Sequence, residues 1–396
     1  MSTLLMVGVG VFGRPYISAA RQLGARVHAV EVPARAQAIA DHVDGVTICS
    51  GESDEAWAEA AVMAAMACHP SGVVAYSEPH VLGAALVQDE FGLPGPSLRA
   101  AVISRNKALQ RGRFAAAGIG QPDYLVTSRL SDAADWAGAR LPVVVKPLSS
   151  AGSAGVELVP DAAAFREVAA RRDADGMLLV ERAVTGPEYS WEALVRDGKT
   201  WYANLTAKET SEPPYFVEVA HRTAPDVSDA VMALADDLGA AVVNAMGMRN
   251  GLVHLEFRLT PDGDPAVMEV AVRTPGDGIM DLLALTYDMN WYELAARVAL
   301  GDELPPPPQG PVRFAASFLP SAQTGTVTAV NGLAEVRAMS CVVDASILVS
   351  PGDHVVSARS SADRVGQVVL AAEDRAELEA ALADVRRTLV VVTQPN

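Results

Sequence analysis

His254-Leu255-Glu256-Phe257-Arg258, then Pro261-Asp262-Gly263-Asp264, then Met268-Glu269-Val270-Ala271-Val272-Arg273: two acidic residues stand here inside apolar, β-prone runs. Asp262-Gly263 is a strong signal for a two-residue hairpin loop, because both positions tolerate positive φ. With that loop, Glu256 faces Glu269, His254 faces Ala271 and Arg258 faces Val267. The other face carries Val253, Leu255, Phe257 and Leu259 against Ala266, Met268, Val270 and Val272. A slip of one residue would bury the charges, so the register is strongly specified. The two carboxylates then sit about 5 Å apart at Cβ and repel unless a cation lies between them. A hard divalent ion, Mg²⁺ or Mn²⁺, suits that pair of oxygen donors. The alternative is a surface network in which Arg258 and Arg273 neutralise both.

Upstream, Val143-Val144-Val145-Lys146-Pro147 reads as a buried strand that ends in a lysine and feeds Ser149-Ser150-Ala151-Gly152-Ser153-Ala154-Gly155. Small residues let backbone N–H groups close over phosphate oxygens, and hydroxyls add donors. The G-K-[ST] order of a P-loop is absent. Only four lysines occur (Lys107, Lys146, Lys199, Lys208), and Lys107 falls on a helix read over 101–117. Lys208 is read in a loop ahead of Pro213.

The N-terminus opens as β-α-β, with an apolar run Leu4–Val9 entering Gly8-Val9-Gly10-Val11-Phe12-Gly13 and a second strand ending at Glu31. This fits the dinucleotide pattern G-x-G-x-x-G with a ribose-binding acid. The same glycines also serve any tight strand-to-helix turn. Glu78, after the strand Gly72–Tyr76, lies where ligands of open α/β sheets bind. Gly276-Asp277-Gly278 forms a tight loop after Arg273. Pro305–Pro308 is a stiff linker ahead of a β-rich segment with a final helix over 375–389.

The 396 residues predict two or three domains: an α/β domain over 1–100, a core over 101–304 with a lid at about 125–200, and a β-rich module over 305–396. Half the residues are hydrophobic, which excludes disorder. A net charge of −17 argues against nucleic acid and anionic membranes as partners. Cys49, Cys68 and Cys341 form no close pair, which points to a reducing, cytoplasmic setting. The Met1–Gly13 stretch lacks the basic start of a signal peptide.

Taken together, these pieces resemble the ATP-grasp superfamily, particularly its amino-acid (dipeptide) ligase branch, over nearly the whole chain. The fold class this implies is α/β: an ATP-grasp fold with an N-terminal Rossmann-like domain, a central α+β lid and a C-terminal β-rich domain. The resemblance implies ATP and Mg²⁺ (or Mn²⁺) as cofactors. Lys107 and Lys146 would be nucleotide lysines, with Ser149, Ser150, Gly152, Ser153 and Gly155 in the phosphate-covering loop. Glu181 and the backbone at Ala183 and Val184 would face the purine, and Glu188 the ribose. Glu256 and Glu269 would hold the metal, with Arg273 and Lys208 at the transferring phosphoryl group. Pro213–Glu218 with His221 resembles the substrate-side loop, joined by Glu78, Asp277 and Gly278, and Arg359–Arg364 resembles part of the C-terminal module. The chain departs from the family at Ala271, where an Asn usually binds a second metal.

The implied activity is ATP-dependent ligation of a small-molecule carboxylate to an amine through an acyl phosphate, releasing ADP and phosphate, and a homodimer is the assembly this family would suggest. Two other readings stay open: a nucleotide-binding protein without turnover, and an NAD(P)-dependent oxidoreductase built on the N-terminal glycines.

Overall fold

The computed structural model describes residues 1–10 and 13–395. Val11 and Phe12, within the glycine-rich turn, lie outside them.

Four sheets organise the chain. The first is parallel, in the order Gly45–Ile48, Arg26–Glu31, Thr3–Val7, Gly72–Ala75. The strand Thr3–Val7 is apolar from Leu4 onward and wholly buried, as expected of an inner strand of a parallel sheet covered on both faces. A second, antiparallel sheet lies in the segment expected as a lid, in the order Tyr124–Thr127, Leu178–Arg182, Val143–Pro147, Glu157–Val159. It has its own core of Leu130, Val143, Val145, Phe165 and Val180. Lid strands therefore stop at 182, and Glu188–Arg196 belongs to the next sheet.

That next sheet is central, with eight antiparallel strands. It starts with the hairpin pair Pro265–Ala271 and Gly251–Leu259, followed by Glu188–Arg196, Lys199–Thr210 and Glu218–Thr223. It then continues into Phe314–Phe318, Gly366–Ala372 and Val342–Ile347. The segment after the four prolines thus does not stand apart. Three of its strands extend the central sheet, joined where Ala220 pairs with Phe318. The fourth sheet is small, of His354–Val355, Gly325–Asn331 and Val390–Gln394. Among the described residues, no helix is long and apolar enough to cross a membrane.

Three local expectations change. The helix read over 101–117 is two helices, Leu98–Ser104 and Lys107–Ala117. Asn106 breaks it, its Oδ1 accepting from the N–H of Ala108 at 2.9 Å and of Leu109 at 3.1 Å; such side chains compete with the helix for backbone donors. Lys208 lies not in a loop but in the strand Lys199–Thr210. The acidic hairpin turns through Thr260–Asp264 rather than through two residues, and its register slips once after Glu256. Glu256 faces Glu269 and His254 faces Ala271, but Arg258 faces Ala266 instead of Val267. This bulge sends Val267 into the core and turns Met268 to the other face.

The glycine-rich turn is closed from within. Glu31 is fully buried, and its Oε2 accepts from the N–H of Val9 at 2.9 Å and of Gly10 at 2.8 Å. Those are donors a dinucleotide pyrophosphate would need. Gly8 has φ +69°, and a Cβ there would lie 1.9 Å from the His80 ring. The glycines thus serve a turn packed on an imidazole.

His80 is buried with its ring against Trp57. Burial pushes its imidazole down from 6.5 to about 4, outweighing the pull of Glu31. The unfolded chain therefore takes up the proton first as pH falls. The neutral ring's contribution is complete above pH 6.5 and is lost toward pH 4, up to about 3 kcal/mol. Urea unfolding across that range should show a drop in stability that His80→Asn, which keeps an acceptor for Ser77, lessens by about that amount.

Candidate active site

Glu256 and Glu269 face each other across the hairpin, and each already has a cation. Lys208 Nζ lies 2.6 Å from Glu256 Oε1, and Lys107 Nζ lies 2.9 Å from Glu269 Oε1. His254 adds a third, its Nε2 3.2 Å from Glu256 Oε1 while Nδ1 meets Glu192 Oε1 at 2.9 Å. Arg258 and Arg273, the neutralising pair considered from sequence, go elsewhere. Arg258 binds Glu188 at 2.5 Å and Arg273 binds Glu78 at 2.7 Å.

The cations come from three separate elements. Lys107 is the first residue of its helix, placed by the Asn106 cap, and it also donates to Ser150 O at 2.7 Å. Lys208 rises from the adjacent face of the central sheet and is shared by Glu256, Glu188 at 3.0 Å and Glu218 at 3.4 Å. Burial alone would lower the Lys208 ammonium, but the three carboxylates hold it well above its ordinary value. Burial would likewise raise Glu256, yet Lys208 and His254 hold it well below the carboxylate range. Burial would also lower His254, but its bonds to Glu192 and Glu256 lift it to about 9. At neutral pH the imidazole opposite Ala271 is a cation.

A second buried charge group lies behind the glycine-rich flap. Lys146 Nζ binds Glu181 at 2.5 Å, and Arg111 binds the other oxygen of the same carboxylate. Arg111, absent from the sequence reading, lies four residues after Lys107, a spacing that puts both on one helix face.

These groups enclose a cleft of about 150 Å³. Of the residues expected there, the structure gathers Lys107, Lys146, Ser150, Gly152, Ser153, Glu181, Ala183, Val184, Glu188, Glu256, Glu269 and Arg273. Met268, His254, Glu218 and Phe216 line it as well. Seven of the expected residues lie outside its walls. Ser149 and Gly155 flank the flap, Gly155 packing on the Pro147 ring. Lys208 sits behind Glu256, and Glu78 behind Arg273. His221, Asp277 and Gly278 form a neighbouring junction instead. Asp277 accepts from His221 at 2.8 Å and bidentately from Arg364, and Gly278 packs on Gln367.

Among the described residues, no three carboxylate, imidazole or thiol groups gather into a metal cage. Two facing carboxylates open to a cleft suit a hard ion that takes the rest of its shell from phosphate and water, which is how Mg²⁺ is commonly held.

Residues 139–281 match the family model described as the ATP-grasp domain, and residues 317–394 match the L-amino acid ligase C-terminal domain 2. A D-alanine–D-alanine ligase of Anaeromyxobacter sp. (strain K) is 30% identical over 230 residues, covering 53% of this chain and 71% of that protein. The chain belongs to the ATP-grasp family. An L-arginine-specific L-amino acid ligase of Bacillus subtilis is 21% identical over 328 residues, 80% of this ATP-grasp chain and 78% of the relative. The crystal structure of an L-amino acid ligase from Bacillus licheniformis superposes with a TM-score of 0.82 at 21% identity, covering 100% of this chain and 99% of that one. That likeness covers the C-terminal segment as well as the ATP-grasp core.

Lys208 is the counter-ion for three carboxylates, so removing it leaves buried like charges facing each other. Lys208→Met should cost about 3 kcal/mol in urea unfolding, and adding Glu188→Gln and Glu218→Gln to that variant should recover a good part of it.

Proposed function

We propose that this protein couples cleavage of ATP to amide formation between an amino acid and a second amino acid or amine, through an acyl phosphate. The observation that carries this reading is the pair of facing glutamates under a glycine-rich flap, with Lys107, Lys146, Lys208 and Arg273 converging from four elements. Both named relatives are ligases of amino acids. The oxidoreductase alternative loses its support where Glu31 occupies the turn's amides.

A carboxylate is a poor electrophile at neutral pH because its leaving group would be oxide. Transfer of the γ-phosphoryl group gives a competent leaving group; an amine then attacks the carbonyl carbon and inorganic phosphate departs. Little covalent chemistry falls to the protein, and its work is positioning and charge neutralisation. Lys146 and Lys107 would approach the nucleotide phosphates, giving up part of their present pairing with Glu181 and Glu269. Lys208 and Arg273 would face the transferring group, where cations held in place by buried carboxylates need no reorganisation. A divalent ion held by Glu256 and Glu269 would supply further neutralisation of the triphosphate. His254 places a fixed positive charge opposite Ala271, beside the position where the family carries its second metal ligand. The flap and lid would exclude water that hydrolyses an acyl phosphate. We place this activity in the cytoplasm, where ATP is at hand and the three free thiols stay reduced.

The test is ADP release with Mg²⁺, ATP and pools of amino acids, read together with product mass. Amino-acid-dependent ADP and a new amide mass are expected; nucleotide binding without turnover would leave only a silent module. Glu269→Gln should lower kcat by about a hundredfold or more with the fold intact, and Lys146→Met should chiefly raise KM for ATP. An unaltered rate in the Glu269 variant would remove the metal assignment.

A further inference from the structure

The short turn at 359–364, contributed by the C-terminal segment, touches three parts of the site at once. Its own shape is fixed by Asp363, whose Oδ2 accepts from the N–H of Arg359 and Ser360 and from the Ser360 hydroxyl, at 2.9–3.0 Å. Arg364 ties the turn to the Gly276-Asp277-Gly278 loop through Asp277, at 2.9 and 2.5 Å. Ser361 then makes two bonds in different directions. Its N–H donates to Gly152 O in the flap at 2.9 Å, and its hydroxyl donates to Glu218 Oε2 at 2.9 Å. The other oxygen of Glu218 takes a hydrogen bond from Lys208 at 3.4 Å, the longest of that lysine's three contacts.

We infer that Ser361 is a positioning residue that couples closure of the flap to the placement of Lys208, an assignment that rests on the ligase reading. The main chain of Ser361 holds the flap down while its side chain holds the lysine's most weakly engaged counter-ion to one side. With Glu218 so restrained, its charge competes less for the Lys208 ammonium, which is then free to serve the transferring phosphoryl group. With the flap raised, Ser361 N–H loses its acceptor, so closure and the phosphoryl-facing charge belong to one bonded unit. Gly152 fits this contact: its φ is +62°, and a Cβ there would come within 3.3 Å of Ser361 Cβ. Two further bonds fasten the same side of the lid, from Ser153 Oγ to Phe216 O at 3.1 Å and from Leu158 N–H to Pro214 O at 2.9 Å. Both end on the segment that leads into Glu218. The C-terminal segment thus joins the 214–216 segment in holding the flap, through Ser361 N–H.

Two substitutions separate the bonds. Ser361→Ala removes the hydroxyl alone. Ser361→Pro also removes the N–H; proline suits the first position of such a turn, and the extended Ser360 at φ −150°, ψ 168° suits the residue before it. In the full-length enzyme Ser361→Ala should lower kcat about tenfold, the worth of one hydrogen bond to a charged group, with KM for ATP nearly unchanged and with rescue by Ser361→Thr. Ser361→Pro should in addition raise the ratio of ADP to amide product above one. It should also speed hydrogen exchange of amides 150–154 in the presence of Mg²⁺ and a non-hydrolysable ATP analogue. A wild-type kcat in the alanine variant, or wild-type flap exchange in the proline variant, overturns the assignment. Absence of amino-acid-dependent ADP from the unmodified enzyme would sink the ligase reading instead, while flap exchange would still report on the latch.

Discussion

Two carboxylates fixed face to face on a β-ladder are an electrostatic liability that the rest of this structure is arranged to hold. Unit charges 4 Å apart interact by about 4 kcal/mol at the effective dielectric of a protein surface, so the repulsion between Glu256 and Glu269 calls for cations close by. Their relief comes from far away in sequence. Lys107 lies at the start of a helix before the lid, Lys208 on a strand after it, and His254 on the hairpin itself, braced by Glu192. Each cation has at least two anionic or carbonyl partners, so the network is nearly closed without ligand. A polyphosphate entering this cleft would meet charges already in position, and would gain by replacing carboxylate contacts rather than by ordering loose side chains. The acidic hairpin is thus the point where the helix start at Lys107, the strand of Lys208 and the glycine-rich flap meet.

The sequence made this hairpin legible because its signals are local: alternation of two, a turn dipeptide, and charges confined to one face. The same local logic located Lys146 and the flap. It failed where a rule of thumb met its exception. In the strand 199–210 the residues facing Glu192 and the cleft are Asn204, Thr206 and Lys208, all buried. A polar stripe turned inward looks, to a hydrophobicity pattern, like a stripe turned to solvent, so Lys208 reads as a loop residue. The bulge after Glu256 left no mark in composition, yet it decides whether Met268 lies in the core or the cleft. The helix break at Asn106 was visible in principle, since an Asn inside a helical run offers a cap, and that cap is what sets Lys107 at a helix start.

The N-terminal glycines show how one motif can answer to two physical demands. A G-x-G-x-x-G turn leaves backbone N–H groups pointing at a common spot, and something negative must fill it. In a dinucleotide site that is a pyrophosphate. Here Glu31, the residue that would hold a ribose in that reading, folds its carboxylate onto the N–H of Val9 and Gly10. Several main-chain bonds and Arg35 hold this acid below its ordinary range despite its burial, so it stays an anion in its own loop. Motif spacing reports where the backbone turns; only the partner of the freed amides tells whether a ligand is wanted.

The antiparallel unit over 124–182, the expected lid, has attachments of several kinds. It has a separate apolar core, and its interior pair of Lys146 with Glu181 is tied to the helix Lys107–Ala117 through Arg111. Toward the rest of the molecule, its flap side is held by hydrogen bonds made by Ser153, Leu158 and Ser361, and by Lys107, whose N–H donates to Leu148 O and whose Nζ donates to Ser150 O. Neutral bonds of this kind contribute about 1 kcal/mol each net of water, so together they favour one arrangement of the flap. The bonds from Ser153 and Leu158 end on the segment 214–216, which runs into Glu218, and the bond from Ser361 starts at the turn whose hydroxyl meets Glu218. Strand pairing between Ala220 and Phe318 then fixes Glu218 against the C-terminal segment. Merging that segment into the central sheet, rather than tethering it behind a proline linker, is what allows a residue near the end of the chain to meet a loop more than two hundred positions earlier.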